Sequence, residues 1–223
     1  MDGVVLLHGI MRTSRSMAGL ARHLRKAGYE VYNIDYPSSR HTLPELAGIV
    51  GPSVAKFAAS VDRVHFVGFS MGGLLVRTIL AAGRPKNLGR VVMIGTPNGG
   101  SEVADLLRDF KPYRKIFGPA GRQLVTDQAA FSHIFADPDF EVGVIAGSVR
   151  SGPISSRLFK APNDGKVSVA STVLPNCADH IVLARNHTFL SICRRGWVET
   201  EAFLRSGKFT EEARRDVALE KSQ

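Results

Sequence analysis

The pentapeptide GFSMG at residues 68–72 constrains the fold of this chain more than any other stretch. A run of β-forming residues, 64–69, leads into it, and an apolar run at helical spacing, 74–80, leaves it, which predicts a turn from a strand into a helix. The glycines lack the Cβ atoms that would collide where strand and helix approach, so Ser70 can hold a strained backbone angle with its hydroxyl above the sheet. This context is typical of a nucleophilic serine, although a simple tight turn has the same pattern.

The rest of the chain alternates between short β-forming runs and segments of helical periodicity. This alternation predicts an α/β fold in which a mostly parallel central β-sheet carries helices on both faces. At 223 residues, the chain is expected to form a single domain over residues 1–223. The predicted strands are residues 4–7, 29–34, 64–69, 90–94, 140–146 and 180–184. The main predicted helices are residues 43–59, 71–82, 188–194 and 198–204.

The alternation is interrupted between about residues 101 and 136, where proline and glycine separate short helical pieces at 103–110, 114–117 and 128–135. We interpret this insertion as a small helical cap over the carboxyl edge of the sheet. Three apolar cap side chains, Leu106, Phe110 and Phe131, are candidates for substrate contact. Ordinary core packing of the same apolar stripe is the alternative.

Reactive groups in a parallel sheet collect in the loops beyond the carboxyl ends of the strands. Of the seven histidines, only His8 and His187 directly follow predicted strand ends in this way. The other five lie at strand starts or in helical and cap segments. His187, in the last such loop, is therefore the candidate base for Ser70.

An imidazole that acts as a base needs a carboxylate to hold its tautomer. Asp139 and Asp179 precede strands and belong to the far edge, and Asp35 can equally end its strand or cap a turn. Asp164 lies in a loop between Ser70 and His187 in chain order, which favours it, although Asp-Gly is also an ordinary turn sequence.

A developing oxyanion needs two backbone N–H donors. The amide of Met71, directly after Ser70, is one candidate. The second is expected from the loop after the first strand, where Gly9 permits close backbone approach and Ile10 follows.

These motifs occur together in a recognisable order: HGI at 8–10, GFSMGG at 68–73, GTP at 95–97, NDG at 163–165 and NH at 186–187. In this the sequence resembles the α/β-hydrolase superfamily, and within it the small bacterial lipases and esterases, from residue 4 to about residue 204. The resemblance implies a nucleophile, a general base and acid, an orienting carboxylate and a two-amide oxyanion hole. In that order, the residues are Ser70, His187, Asp164, and Ile10 with Met71.

The sequence departs from this family in ways that bear on metals. Residues 188–190 after His187 contain no acidic residue, whereas calcium-binding lipases commonly have one there, so the sequence speaks against a structural calcium site. Asn98 and Gly99 also stand where many relatives have a histidine and a basic residue. We expect neither a metal nor a cofactor.

The net charge of +9 would suit anionic partners. The lysines and arginines are scattered rather than clustered among aromatic residues, so we expect no nucleic-acid binding and, at most, weak association with anionic membrane surfaces. No apolar run approaches the roughly 18 to 20 residues that span a bilayer. The first strand begins almost at Met1 and leaves no room for a signal peptide, which predicts a cytoplasmic location.

The sequence thus predicts a serine carboxylic-ester hydrolase that forms an acyl-enzyme with small-molecule acyl esters of short to medium chain length. A thioesterase or an acyltransferase with the same triad is an alternative, because the acyl-enzyme is common to all three. A non-catalytic binding protein with the hydrolase fold is another.

Overall fold

A computed structural model of the protein describes residues 1–107, 109–126, 135, 138–150 and 161–213, without the side chains of residues 113 and 114. Its strands are β1 (Gly3–Leu7), β2 (Glu30–Ile34), β3 (Val64–Phe69), β4 (Leu88–Ile94), β5 (Val142–Gly147) and β6 (Asp179–Leu183). They form one sheet in the order β2-β1-β3-β4-β5-β6, and every neighbouring pair is parallel. The predicted parallel α/β sheet is confirmed.

Helices connect the strands, as a parallel sheet requires. They are α1 (Ala18–Lys26), α2 (Leu43–Ala58), α3 (Met71–Ala82), α4 (Glu102–Leu107), α5 (Lys111–Arg122), α6 (Val169–Thr172), α7 (His187–Leu190) and α8 (Arg194–Ser206). Among the helices of the described residues, none combines the length and apolar content that a membrane crossing requires.

The side chains of β1 show how the sheet is covered on both faces. Val5 and Leu7 point into a core cluster shared with α2 and α3, whereas Val4 and Leu6 point into a second cluster shared with α1 and α8. All four side chains are fully buried. Because successive side chains of a strand alternate between faces, a strand that is apolar at every position needs helices on both sides, as predicted.

Two helices near the end of the chain differ from their predicted bounds. The side chain of Asn186 accepts a hydrogen bond from the Phe189 amide (3.1 Å), and the sulfur of Cys193 accepts one from the Gly196 amide (3.3 Å). These side chains act as N-caps, so α7 begins at His187 and α8 begins at Arg194, four residues before the predicted start. Cysteine is not among the residues that helices prefer at the N-cap, so the sequence did not indicate this helix start.

The cap also differs from its prediction. Pro112 lies in the first turn of α5, where its missing N–H is tolerated, so it begins a helix rather than ending one. The helix is interrupted at Gly118, whose φ of 61° is non-helical. The predicted piece at 128–135 lies outside the described residues, apart from residue 135, as does the candidate Phe131. The cap boundary near residue 136 and the single-domain organisation stay predictions.

Candidate active site

Ser70 lies between the end of β3 and the start of α3 in a strained conformation, with φ of 55° and ψ of −126°. The neighbouring glycines make this turn sterically possible. A Cβ atom at Gly68 would lie 2.4 Å from the Cα atom of Gly73, and one at Gly72 would lie 2.2 Å from the carbonyl oxygen of Leu7. Such strain persists only where the surroundings enforce it, and it is common at reactive sites. The turn directs Ser70 toward the carboxyl edge of the sheet, at the N-terminus of α3, where the helix dipole favours negative charge.

The imidazole of His187 lies beside Ser70. Its Nε2 atom is 2.9 Å from the Ser70 Oγ atom, although 117 positions separate the two residues. The ring also contacts Phe69, with 5.1 Å between ring centroids. His187 is the first residue of α7, so the cap formed by Asn186 sets the position from which the imidazole projects.

The carboxylate of Asp164 holds the other ring nitrogen, with 2.6 Å between its Oδ2 atom and His187 Nδ1. Its Oδ1 atom accepts hydrogen bonds from the amides of Lys166 (3.0 Å) and Val167 (2.9 Å). The carboxylate is fully buried, so these partners replace the water that it loses. Asp164 therefore lies in a turn and beside the histidine at once, and the two interpretations of its Asp-Gly sequence are compatible.

The other carboxylates considered from the sequence have different partners. Asp35 accepts a hydrogen bond from the Ser14 amide (3.0 Å), Asp139 pairs with Arg84, and Asp179 accepts one from the Phe209 amide (2.9 Å). The last two acids lie before β5 and at the start of β6, which is the edge remote from Ser70. Of the four acids, the structure places Asp164 against His187.

The two predicted oxyanion donors are the backbone amides of Ile10, in the loop after β1, and of Met71, directly after Ser70. A Cβ atom at Gly9 would be 3.2 Å from the Ser70 Cβ atom, so the loop after β1 packs directly against the serine. Within the described residues, neither the Ile10 amide nor the Met71 amide donates a hydrogen bond to the protein. Both N–H groups are therefore available for an oxyanion.

The buried side chain of His8 stabilises the start of the loop that follows β1. Its fully buried ring stacks on Tyr36, with centroids 4.1 Å apart, and its Nδ1 atom donates to the carbonyl oxygen of Gly9 (2.9 Å). The hydroxyl of Tyr36 donates to the carbonyl oxygen of His8. Burial lowers the pKa of His8 despite the opposing effects of the Gly9 carbonyl and Asp35, and burial raises the pKa of Tyr36.

Tyr36 was not among the residues predicted from sequence. Its position just after β2 could have indicated its role. β2 is the parallel neighbour of β1, so the two strands end at the same edge and the loops that follow them lie side by side.

The side chains predicted to contact substrate are more exposed than the side chains of Ser70, His187 and Asp164. Leu106 is 56% exposed and Phe110 is 58% exposed, whereas the adjacent Leu107 packs against the core. Their contact with substrate stays a prediction.

A groove of about 600 Å³ lies elsewhere, lined by α2 and by the segment after α3. Gly83 and Asn87 are among its lining residues, and they follow the end of α3 that is remote from Ser70. A helix of this length separates its two ends by about 18 Å, so the groove is not part of the serine site.

Comparison with known proteins gives partial sequence matches and an extensive structural match. A triacylglycerol lipase of Pseudarthrobacter phenanthrenivorans is 32% identical over 120 residues, which cover 48% of this chain and 36% of the lipase. A lysosomal thioesterase PPT2 homolog of Drosophila melanogaster is 31% identical over 104 residues, which cover 44% of this chain and 36% of that protein. The matches thus span about a third of the length of these relatives.

The crystal structure of the mature lipase BlEst2 of Bacillus licheniformis superposes with a TM-score of 0.75 at 21% identity, covering 93% of this chain and 92% of that one. The likeness covers nearly all of both chains, and it shows the shared fold. The family model described as "Alpha/beta hydrolase family" matches residues 4–206, nearly the whole chain. The chain therefore belongs to the alpha/beta hydrolase family.

Proposed function

We propose that the protein is a serine carboxylic-ester hydrolase acting on acyl esters of short to medium chain length. The observation that carries the proposal is the hydrogen-bonded line from Ser70 Oγ through His187 to Asp164, which begins at a strained strand-to-helix turn. A nucleophile, a base within hydrogen-bond reach and a third group that orients the base are the three parts of covalent acyl transfer.

In the proposed mechanism, Ser70 Oγ attacks the ester carbonyl carbon while His187 Nε2 takes the hydroxyl proton. The carbonyl oxygen becomes an anion that the Ile10 and Met71 amides stabilise. Asp164 stabilises the imidazolium through Nδ1. The carbon–oxygen bond to the leaving alcohol then breaks, His187 gives its proton to that alcohol, and an acyl-serine ester remains.

Water completes the cycle by the same steps. His187 removes a proton from a water molecule as its oxygen attacks the acyl-serine carbonyl, and the same two amides hold the second oxyanion. Collapse returns the proton to Ser70 Oγ and releases the carboxylic acid. The mechanism needs no group beyond these side chains and amides.

A panel of p-nitrophenyl esters of increasing chain length, given to the wild type and to Ser70→Ala, tests the proposal. We expect the wild type to prefer short to medium chains and the variant to fall to near background. Wild-type inactivity on the whole panel, or full activity of the variant, would overturn the mechanism. Failure of a fluorophosphonate probe to label Ser70 would favour the non-catalytic binding protein.

A thioesterase is the second candidate, and the likeness to the Drosophila thioesterase supports it. Sulfur and oxygen leaving groups share the acyl-serine intermediate, so matched acyl thioesters and acyl esters distinguish the two by their ratio of kcat/KM. An acyltransferase would show faster release of the acyl group when an alcohol acceptor is added. The cytoplasmic location, the absence of nucleic-acid binding and the weak association with anionic membranes stay predictions.

A further inference from the structure

The groove beside α2 and the end of α3, remote from Ser70, has the size and the lining of a binding site. Its volume of about 600 Å³ lies within the range of about 300–1,000 Å³ that is usual for small-molecule sites. Buried aliphatic side chains and small exposed ones form most of its lining. They include Ala47, Val54, Ala55, Ala58, Ile79 and Ala82. A lining of this kind suits an aliphatic chain.

A second cavity, of about 370 Å³, adjoins this groove. Arg84, Pro85 and Lys86 line both, so this short segment after α3 is the boundary between them. The second cavity lies at the amino edge of the sheet, beside the starts of β3, β4 and β5. Its lining is mainly polar and includes four cationic side chains and two carboxylates. An apolar space and a charged one thus meet at residues 84–86.

Three of the four cations in the second cavity are neutralised by a carboxylate. These pairs are Arg63 with Asp2 (3.1 Å), Arg84 with Asp139 (2.9 Å) and Arg90 with Glu141 (2.8 Å). Lys86 forms no ion pair with any residue that the structure describes. Burial lowers the pKa of His65, so this ring adds no charge at neutral pH. The cavity therefore presents one uncompensated positive charge, on Lys86, at the boundary with the groove.

We propose that the groove binds an aliphatic carboxylate, with its alkyl chain along α2 and its carboxylate beside Lys86. Burial of methylene groups supplies most of the affinity, and the one free ammonium matches the single charge of a carboxylate. The second charge of a phosphate would face Asp139 and Glu141 without gaining a cation. The site goes beyond the proposed ester hydrolysis, because binding there uses no residue of the serine site.

Calorimetric titration of the full chain with decanoate tests the proposal, and decyltrimethylammonium provides the same chain with the opposite charge. We expect decanoate to bind and the cation to bind at least tenfold more weakly, with a preference that decreases in high salt. Decyl phosphate should bind no more tightly than decanoate. From octanoate to decanoate, each added methylene should tighten binding about threefold, as expected for burial of a methylene group.

Substitutions at the two ends of the site separate the contribution of the head from that of the chain. Lys86→Gln should weaken decanoate binding about fivefold, the upper range for an exposed ion pair, and Lys86→Arg should keep it. Lys56→Gln is the matched control, because that lysine is exposed on α2 and lines neither cavity.

For the chain, Ala82→Phe should weaken decanoate binding about tenfold, because the ring occupies space that the methylenes need. Ala81→Phe should leave binding unchanged, since Ala81 is an exposed neighbour in the same helix that does not line the groove. Unchanged thermal melting shows that each variant is folded.

Equal binding of decanoate and decyltrimethylammonium, or decanoate binding that neither Lys86→Gln nor Ala82→Phe weakens, would overturn the site. Tighter binding of decyl phosphate would overturn the assignment of a carboxylate. If decanoate does not bind, the proposal is wrong. Loss of binding to anionic vesicles in Lys86→Gln would then assign the groove to a membrane surface, and a dimer abolished by Ala82→Phe would assign it to a second copy. These results are independent of ester hydrolysis, because calorimetry requires no turnover.

Discussion

The Nδ1 atom of His187 lies 2.6 Å from the Oδ2 atom of Asp164, and the other oxygen of that carboxylate accepts two backbone amides of its own turn. The backbone of the turn thus fixes one carboxylate oxygen, and the other oxygen fixes the orientation of the imidazole. Because Oδ2 accepts from Nδ1, the imidazole keeps Nε2 free to accept the proton of Ser70.

We expect Asp164→Asn to lower kcat by about three to four orders of magnitude, because the amide nitrogen favours the wrong imidazole tautomer. The measurement is kcat on the best p-nitrophenyl ester, with circular dichroism to verify folding. Asp139→Asn is the control, because that carboxylate is 68% exposed and pairs with Arg84. Equal activity of the two variants would contradict the role of Asp164.

The glycines around Ser70 should differ sharply from a glycine elsewhere in their response to a methyl group. Gly72→Ala would bring its Cβ atom to 2.2 Å from a backbone oxygen, so we expect loss of activity together with a lower melting temperature. At Gly48, inside α2, nothing lies within 4 Å of the added atom. Gly48→Ala should therefore stabilise the protein by about 0.5–1 kcal/mol without loss of activity. A tolerated Gly72→Ala would show that the turn can move.

Met71 should contribute to catalysis through its amide and to stability through its side chain, which is fully buried in the core. Met71→Leu conserves volume and should cost less than about 1.5 kcal/mol. Met71→Ala leaves a cavity and should lower the free energy of unfolding by about 2–5 kcal/mol. In both folded variants kcat should stay within a few-fold of the wild type, whereas Ser70→Ala should abolish it. A large fall of kcat in Met71→Leu would assign the side chain a direct role.

The stability of the fold should fall as the pH is lowered below about 6.5, the ordinary pKa of histidine. Burial lowers the pKa of His8 and of His65, so the unfolded chain binds more protons than the folded one in this range, and protonation favours unfolding. The facing carboxylates, Asp35 for His8 and Asp2 for His65, reduce the effect because they favour the charged rings.

Melting temperatures of the wild type and of His8→Gln at pH 7.5 and pH 5.5 check this expectation. The wild type should lose stability at the lower pH, and the variant should lose less, because His8 no longer takes up a proton on unfolding. His41→Gln is the control, because that ring is 40% exposed. An equal pH dependence in all three proteins would show that His8 does not contribute.

Local sequence was sufficient for the strand-turn-helix at Ser70 and for the parallel sheet, because both follow from short-range periodicity and from the steric freedom of glycine. It was also sufficient to select His187, since the rule that carboxyl ends of parallel strands share one edge needs only strand positions. It was weaker at helix starts, where the sulfur of Cys193 acts as a cap.

The tertiary structure decided what depends on residues distant in the chain. The choice among four aspartates required the contact of His187 Nδ1 with one oxygen of Asp164, whose other oxygen is held by its own turn. The loop after β1 is held by a hydrogen bond from Tyr36 to His8, 28 positions away. Sequence patterns report which edge of the sheet a residue reaches, whereas hydrogen bonds between loops depend on packing that no single segment specifies.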